Sequence, residues 1–381
     1  RRTWHAQVAE SLSAVPDAEQ PRWSEVAHHL AAAGRCHEAV SAYRKAGAQA
    51  LRQLAFDEAV GAYRAAFRAA DRAKSMTETD LVELRLELAR ALTQHGDFAA
   101  AKKECVEAAS AAREVGHAEL LARAALEHGA ALQYASIDRE LVDLLEEALE
   151  ALDRRDSALR ARVLARLAAA TQPAEDPEDP IALAREGIAM ARRLEDPETL
   201  LDALRNGGSA MVDLGDLNER LLIDRELAML GEELDDPVAA LRGHLRSVMD
   251  YLSLDRLNDA FRAMHACERL TARLAHPVYT WRSVALSALR AMWEGRLDEA
   301  EELMEKAHDL GARASDPNSE VVYLAQKLRL LQYRGHFDAQ LPLLEQLSKL
   351  PFGSDIGVAL TRVMIGEEHA LAGRVQQARA Y

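Results

Sequence analysis

A regular period of about 40 residues constrains this chain more than any other feature of its sequence. The first break in each period is a proline, at Pro197, Pro237, Pro277 and Pro317. The second break, in step with the first, falls at Gly215, Asp255, Gly295 and Gly335. Each period therefore predicts two helices, and because one such unit cannot bury its apolar face alone, neighbouring units must stack. We predict an all-α fold, a right-handed superhelix of stacked antiparallel helix pairs that is tetratricopeptide-like, with about 40 residues per repeat.

The composition of the chain favours helix in nearly every segment. Ala, Leu, Arg and Glu dominate, and these residues lose little conformational entropy in a helix. In three of the breaks Asp precedes Pro, which is typical of an N-cap residue before the first helical position. Glycines that follow helical runs are predicted to close the last turn in the left-handed conformation. They are Gly34, Gly96, Gly215, Gly295, Gly335 and Gly373.

The N-terminal part of the chain, residues 1–75, follows a shorter step. The segment HEAVSAYR at residues 37–44 recurs as DEAVGAYR at residues 57–64. This spacing predicts two consecutive helices, like half of a tetratricopeptide unit. Before them, the segment from Pro16 to Pro21 is predicted to be a loop that closes a first helix.

Charge and cysteine content exclude several classes of protein. The chain has 47 Lys and Arg against 62 Asp and Glu, a net charge of −15, which argues against nucleic-acid or anionic-membrane binding by this segment. No apolar run approaches the roughly 18 residues of a membrane span. Cys36, Cys105 and Cys267 lie far apart, which excludes a disulfide framework or a Cys-based zinc site and is typical of a reducing compartment. We expect a cytoplasmic protein.

Two stretches of the sequence resemble a known family. The first is RTWHAQVAE at residues 2–10 with EVAHHLAAAGR at 25–35, and the second is YTWR at 279–282 with EGRLDEAE at 294–301. They are similar to the junction after the NTPase and winged-helix part of large bacterial signal-transduction ATPases and to the helical repeats beyond it, which resemble those of the maltotriose-responsive activator. This family includes ATP-binding transcription regulators of the LuxR type and certain adenylate cyclases of actinobacteria.

The resemblance implies a division of the chain and a larger parent protein. Residues 1–75 would be the helical junction, and residues 76–381 the superhelical repeat domain, truncated at its C-terminus. By this resemblance the parent would bind ATP in an upstream domain and carry a DNA-binding or cyclase output domain. No GxxxxGK[ST] loop occurs in this sequence itself. The NTPase and output domains would then be partners within the same chain, and the segment itself would bind no cofactor. Homo-oligomerisation is compatible with this interpretation.

No spacing typical of catalysis occurs in the sequence. HExxH, GxSxG and paired CxxC motifs are all absent, so we expect neither enzymatic activity nor a metal site in this segment. His28 and His29 are adjacent and point about 100° apart on a helix, so they do not readily share one metal ion. The family resemblance implies a packing and capping role for them.

The register of the repeats also predicts which face of each first helix is buried. Positions 4, 7, 8, 11, 14 and 15 after the proline are mostly apolar, which predicts a stripe packed between neighbouring helices. Members of this stripe are Leu201, Leu204, Leu241, Trp281, Val284, Val321 and Leu324.

Positions 5, 9, 12 and 13 form the opposite stripe, which lines the concave groove in tetratricopeptide-like superhelices. Several arginines reverse the sign of an acidic chain there, and Arg binds carboxylates and phosphates with two parallel hydrogen bonds. We predict a groove for a small effector or an acidic peptide or protein, and Arg242→Ala with Arg246→Ala is expected to weaken binding without unfolding. The alternative is that these arginines pair with acidic residues of adjacent helices. The predicted groove residues are Asp202, Asn206, Arg242, Arg246, Asp250, Arg282, Arg290, Gln326 and Arg329.

Three classes of function remain open at this point. The first is a regulatory sensor region of a signal-transduction ATPase, which binds an effector or partner and relays it to NTPase and DNA-binding domains outside this chain. The second is a stand-alone scaffold that binds proteins through its groove. The third is a helical-repeat enzyme whose catalytic residues come from separate repeats. The N-terminal junction favours the first class, because a scaffold has no reason to carry it.

Overall fold

The computed structural model describes most of the chain. The described residues are 1–14, 22–74, 76–129, 137–212, 215–314, 316, 318–347 and 355–381, with the side chains of 338 and 355–361 left out. Within these ranges the chain forms twenty α-helices and one 3-10 helix and has no strand, which confirms the all-α prediction. Pro317 and the loop predicted from Pro16 to Pro21 lie outside the described residues.

The chain divides into two compact units. Unit 1 comprises residues 1–132 and 139–155, and unit 2 comprises residues 133–138 and 156–381. The helices of unit 1 are α1 (Arg2–Ser13), α2 (Trp23–Ala33), α3 (Cys36–Arg52), α4 (Phe56–Ala73), α5 (Glu78–His95), α6 (Phe98–Glu114), α7 (Ala118–His128) and α8 (Arg139–Ala151). The division at residue 75 inferred from the family resemblance stays a prediction; α4 and α5, on either side of it, pack against each other.

Unit 2 contains the remaining helices. They are α9 (Ala158–Ala170), α10 (Glu178–Leu194), α11 (Pro197–Ala210), α12 (Leu217–Glu233), α13 (Pro237–Ser253), α14 (Leu257–Leu274), α15 (Pro277–Trp293), α16 (Leu297–Arg313), α17 (Asn318–Tyr333), α18 (Gln340–Leu347), α19 (Asp355–Leu371) and α20 (Val375–Ala378), with the 3-10 helix Phe337–Ala339 before α18. From α11 to α17 each helix packs against the next one along the chain. Because only a few residues separate consecutive helices in the sequence, neighbouring helices run antiparallel.

The period of the sequence reappears in the starts of the helices. The first helices α11, α13 and α15 begin at successive prolines of the series, and the second helices α12, α14 and α16 begin at Leu217, Leu257 and Leu297. In unit 1, α3 and α4 contain the two copies of the recurring octapeptide and pack on each other. The period predicted from the breaks is therefore the structural repeat of unit 2.

Aspartates start the first helices as predicted. The Asp236 carboxylate accepts hydrogen bonds from the backbone N–H groups of Val238 and Ala239, both at 3.0 Å, ahead of α13. Asp196 caps α11 in the same way through the N–H of Thr199 at 3.2 Å. Each cap satisfies backbone donors that have no partner within the helix.

Removal of one such cap gives a small and specific loss of stability. We expect Asp236→Ala to lower the free energy of unfolding by about 1 kcal/mol, because two N–H groups at the start of α13 lose their acceptor. Asp236→Asn keeps the capping oxygen and is expected to stay within a few tenths of a kcal/mol of the wild type. Urea unfolding of the three proteins measures both values, and equal losses in the two variants would contradict the capping role.

Five of the six glycines predicted to close helices do so in the left-handed conformation. Their φ angles lie between 71° and 92° at Gly34, Gly96, Gly295, Gly335 and Gly373. The prediction is wrong for Gly215, which is not among the residues of positive φ. The reason is that α11 ends at Ala210, five residues before Gly215, whose N–H donates to the carbonyl of Met211 at 3.0 Å.

The predicted apolar stripe forms the core between neighbouring helices. Leu201, Leu241 and Trp281 occupy equivalent positions in three repeats and are all buried. Leu204 and Leu324 are fully buried one turn further along, whereas Val284 and Val321 are half-buried. The buried and half-buried side chains at positions 4 and 7 after the prolines confirm the predicted register of the stripe.

Two glycines let α12 and α13 approach more closely than side chains would allow. A Cβ on Gly243 would lie 2.5 Å from the carbonyl oxygen of Asp224 and 2.6 Å from the nitrogen of Ala228. A Cβ on Gly231 would lie 2.5 Å from the nitrogen of Ala240. Since the obstructing atoms are backbone atoms, these contacts hold the two helices at a distance that only glycine permits.

None of the helices in the described ranges combines the length and the apolar character needed to cross a bilayer.

Candidate interaction face

The first helices of the repeats carry all nine predicted groove residues on one face. Side chains 4, 7 and 11 positions apart on a helix point to the same side. Residues 5, 9, 12 and 13 positions after each proline therefore lie along one side of α11, α13, α15 and α17, and position 16 continues this side on α15 and α17. We call this side the first-helix face. The neighbours of each predicted residue decide what this face can bind.

On α11 both predicted residues bond to groups of unit 2 itself. Asp202 pairs with Arg162 of α9, whose Nε lies 3.1 Å from a carboxylate oxygen, and with Arg205 of its own helix. The amide nitrogen of Asn206 donates to the backbone carbonyl of Asp202 at 3.0 Å. The carboxylate of Asp202 and the amide of Asn206 are thus bonded to neighbouring groups of the same unit.

On α13 two of the predicted residues, Arg246 and Asp250, belong to a buried ion-pair network that also includes α12. The network consists of Asp224, Arg246, Arg220 and Asp250. Arg246 donates to a carboxylate oxygen of Asp224 at 3.1 Å, and Arg220 pairs with Asp250. Only 14% of the Arg246 side chain and 5% of the Asp224 side chain are exposed.

Further contacts fix Arg246 against α11. Its Nη2 donates to the carbonyl of Arg205 at 2.7 Å and to the hydroxyl of Ser209 at 2.9 Å. A Cβ on Gly208 would overlap Nη1, so glycine at this position makes room for the guanidinium. Arg246 therefore joins three helices, α11, α12 and α13, through hydrogen bonds that use most of its donors.

Both acids of the network are buried, with different consequences for each. Burial raises the pKa of Asp224 to about 7, although the positive charge of Arg246 lowers it, and the negative charge of Asp250 adds to the rise. One carboxylate oxygen of Asp250, Oδ2, is buried and accepts no hydrogen bond from the described residues. Such groups are costly to bury and are strongly coupled to their charged neighbours.

On α15 both predicted arginines pair with acids and stack on aromatic rings. Arg282 donates to Asp316 at 2.7 Å and lies over the ring of Trp281, at 4.6 Å from its centroid. Arg290 donates through Nε to Glu294 at 3.0 Å and lies over the ring of Phe261 at 4.7 Å. These contacts fit the alternative of pairing with nearby acidic groups.

On α17 the predicted residues differ in exposure. Gln326 is half-buried and donates to the carbonyl of Ala285 at 2.8 Å. Arg329 is exposed and donates to the amide oxygen of Gln332 at 2.7 Å. The remaining predicted residue, Arg242 of α13, is also half-buried. The face is therefore a row of mostly paired charges, and ligand binding to it stays a prediction.

The prediction from sequence missed the apolar end of the same face. Position 16 of the repeats holds Trp293 and Tyr333, whose side chains are 48% and 55% exposed, and Met249 at position 12 is 54% exposed. Trp293 and Tyr333 line a cavity of about 370 Å³ together with Met292, Gly295 and Leu297. Extending the series of positions 5, 9 and 12 by one more helical turn would have identified both aromatic residues.

The histidines near the N-terminus form a small cluster in unit 1. Nδ1 of His5 and Nδ1 of His29 lie 2.8 Å apart, and the ring of Trp4 packs edge-on against both. Burial and the neighbouring charge of His29 hold the pKa of His5 below its usual range. His28 is exposed. Across the described ranges, no group of three or more His, Cys, Asp or Glu side chains is placed to hold a metal ion.

The comparison with known proteins rests on solved structures. No protein-family profile matches the chain, and no curated protein matches it. A Rap protein in complex with Competence and Sporulation Factor has a TM-score of 0.55 and 14% identity, over 87% of this chain and 99% of that chain. The apo form of RapI has a TM-score of 0.56 and 9% identity, over 90% of this chain and 95% of that chain.

A third similar structure comes from the class that the sequence resembles. It is a signal transduction ATPase with numerous domains (STAND) with a tetratricopeptide repeat sensor, from Pyrococcus horikoshii. Its TM-score is 0.50 and its identity 13%, over 96% of this chain but only 52% of that chain. At these identities the likeness concerns the fold, and it places this chain among tetratricopeptide-like helical-repeat structures.

Proposed function

We propose that this chain is the sensor region of a signal-transduction ATPase of the STAND type. The observation that carries the proposal is the alignment of nearly the whole chain, 96%, with about half, 52%, of a STAND protein that contains a tetratricopeptide repeat sensor. The N-terminal segment at residues 2–10 and 25–35, which resembles the junction after an NTPase, supports it independently.

The mechanism in this proposal is a shift between conformational states. A partner or effector binds the first-helix face of unit 2 and favours one arrangement of the stacked helices over another. Because a ligand shifts an equilibrium only by its difference in affinity for the two states, the face must change shape between them. The parent relays this change to an ATP-binding domain upstream and to an output domain, either DNA-binding of the LuxR type or a cyclase, in the cytoplasm.

The reading frame on both sides of these residues tests the proposal. We expect a GxxxxGK[ST] loop upstream and a helix-turn-helix or cyclase domain downstream. ATP hydrolysis by the full-length protein should then change when the first-helix face is altered, with Arg329→Glu as the probe and Arg262→Glu of α14 as the exposed control. A reading frame without a nucleotide-binding domain would exclude the STAND assignment.

A stand-alone interaction scaffold is the second candidate. Its supporting observation is the alignment with 99% of a Rap protein that was solved in complex with Competence and Sporulation Factor. A chain of this extent can thus form a complete helical-repeat protein. This candidate predicts that no NTPase domain lies in the same reading frame, so the experiment above separates the two.

A further inference from the structure

The cavity between the ends of α15 and α17 combines exposed aromatic rings with a buried floor. Trp293 and Tyr333 form its exposed walls, and the buried Met292 and half-buried Leu297 connect its floor to the core of these repeats. Ligand clefts span roughly 300–1,000 Å³, so a volume of about 370 Å³ has room for one or two side chains rather than for a large cofactor. Exposed aromatic groups clustered in this way mark interaction sites.

A positive charge lies beside the cavity. Arg329 lies one helical turn before Tyr333 on the same side of α17, a separation at which side chains are neighbours. Its hydrogen bond goes to the neutral amide of Gln332, which in turn donates to Glu368 at 2.9 Å. Arg282, in contrast, donates directly to a carboxylate. Unlike Arg246, Arg282 and Arg290, which pair with carboxylates, Arg329 is exposed and bonds to a neutral amide, so its charge is available to a carboxylate from outside the chain.

We infer that this cavity binds a peptide segment of a partner protein that carries an aromatic or large aliphatic side chain close to a carboxylate. The apolar side chain inserts between Trp293 and Tyr333, and the carboxylate pairs with Arg329. Trp, Tyr and Arg are the residues that most often dominate binding energy at protein interfaces, and a carboxylate is the group that Arg binds best. The inference rests on the proposed function as an interaction region, and it adds the binding site and the chemistry of the partner.

A phage-displayed library of random dodecapeptides selected on the whole chain tests the inference. Enriched peptides should contain Phe, Tyr, Trp or Leu within four positions of Asp or Glu. Fluorescence anisotropy of labelled synthetic copies should show at least a tenfold rise in Kd for Trp293→Ala and a several-fold rise for Arg329→Gln. Met229→Ala removes an exposed apolar group of α12, outside both the cavity and the first-helix face, and should leave Kd unchanged. Circular dichroism verifies that each variant is folded, and Tyr333→Phe, which keeps the ring, should bind like the wild type.

Three outcomes would overturn the inference. The first is that no peptide is enriched, or that enriched peptides lack the paired apolar and acidic residues. The second is an unchanged Kd in Trp293→Ala, which would move the binding site elsewhere while leaving an interaction function in place. The third is self-association that Trp293→Ala abolishes in analytical ultracentrifugation, which would assign the cavity to a second copy. None of these results bears on the flanking reading frame, so the STAND assignment is tested separately.

Discussion

Replacing Arg246 with alanine is expected to lower the free energy of unfolding of unit 2 by about 3–5 kcal/mol at pH 8. The substitution leaves the buried carboxylate of Asp224 without its cation and removes the hydrogen bonds to the carbonyl of Arg205 and the hydroxyl of Ser209. Loss of one member of a buried ion pair costs far more than loss of a surface charge. Urea unfolding followed by circular dichroism measures the effect. Arg262→Ala, with a side chain that is 75% exposed, is the control and should change stability by less than about 1 kcal/mol.

The pH dependence of this loss identifies its electrostatic part. The folded-state pKa of Asp224, about 7, lies above its ordinary value of 3.8, so between these pH values the folded state binds a proton that the unfolded state has released. The contribution of Asp224 to stability is therefore greatest below pH 3.8 and falls as the pH rises to about 7. Without Arg246 this pKa rises further, so the difference between variant and wild type should be smaller at pH 5 than at pH 8.

A second substitution separates charge from packing at the same site. Adding Asp224→Asn to Arg246→Ala removes the unpaired charge and should restore part of the stability at pH 8 but little at pH 5. Equal losses at both pH values, without rescue by Asn, would show that Arg246 acts only through packing. Because we expect Arg246→Ala to destabilise unit 2, Arg329, which is exposed, is the better position at which to test ligand binding.

Gly243→Ala is expected to destabilise unit 2 by about 2 kcal/mol or more. The new Cβ would lie 2.5 Å from a backbone oxygen of Asp224, and backbone atoms of α12 cannot move aside as a flexible side chain can. Overpacking of this kind costs about 1–3 kcal/mol, or more where the site is rigid, and the better helix propensity of Ala recovers at most about 1 kcal/mol. Hydrogen exchange of peptides from α12 and α13, measured by mass spectrometry, should show faster exchange in the variant.

The opposite sign is expected at Gly61 in α4. Apart from the neighbouring backbone of its own helix, no atom lies within 4 Å of a Cβ built on Gly61. The residue lies inside the regular helix α4. Gly61→Ala should therefore stabilise unit 1 by up to about 1 kcal/mol and slow hydrogen exchange in α4. Stabilisation by both substitutions would mean that α12 and α13 do not approach as closely as the structure indicates.

The sequence predicts the fold of unit 2 well, because its information is repeated. The residues at each break recur one period later, so several repeats indicate the same helix boundaries independently. The buried positions follow from the same register. The early end of α11 at Ala210 could not be predicted, since Gly215 occupies the same place in the period as Gly295. Local pattern specifies which residues recur but not how the chain turns between two particular helices.

The candidate site could be predicted only in part. Helical spacing correctly places Arg246, Arg282 and Arg329 on first helices, but it does not reveal which acids face them. Asp224 lies 22 positions from Arg246, and this pairing depends on the packing of α12 against α13. The repeat spacing could have placed Trp293 and Tyr333 on the same side of their helices. It could not have predicted their exposure, because an aromatic residue at a helix end can be either buried or exposed. Burial and charge pairing are properties of the assembled helices.

Packing of each helix on its neighbours along the chain has a consequence for how the protein acquires its structure. From α11 to α17, native contacts join segments that are synthesised close together in time. Loop-closure entropy for such local contacts is small, so folding should be fast, and ordering of one helix pair can proceed before the next leaves the ribosome. Interruption of synthesis within the array should therefore yield shorter chains in which the completed helix pairs are already ordered, up to the last pair that lacks its neighbour.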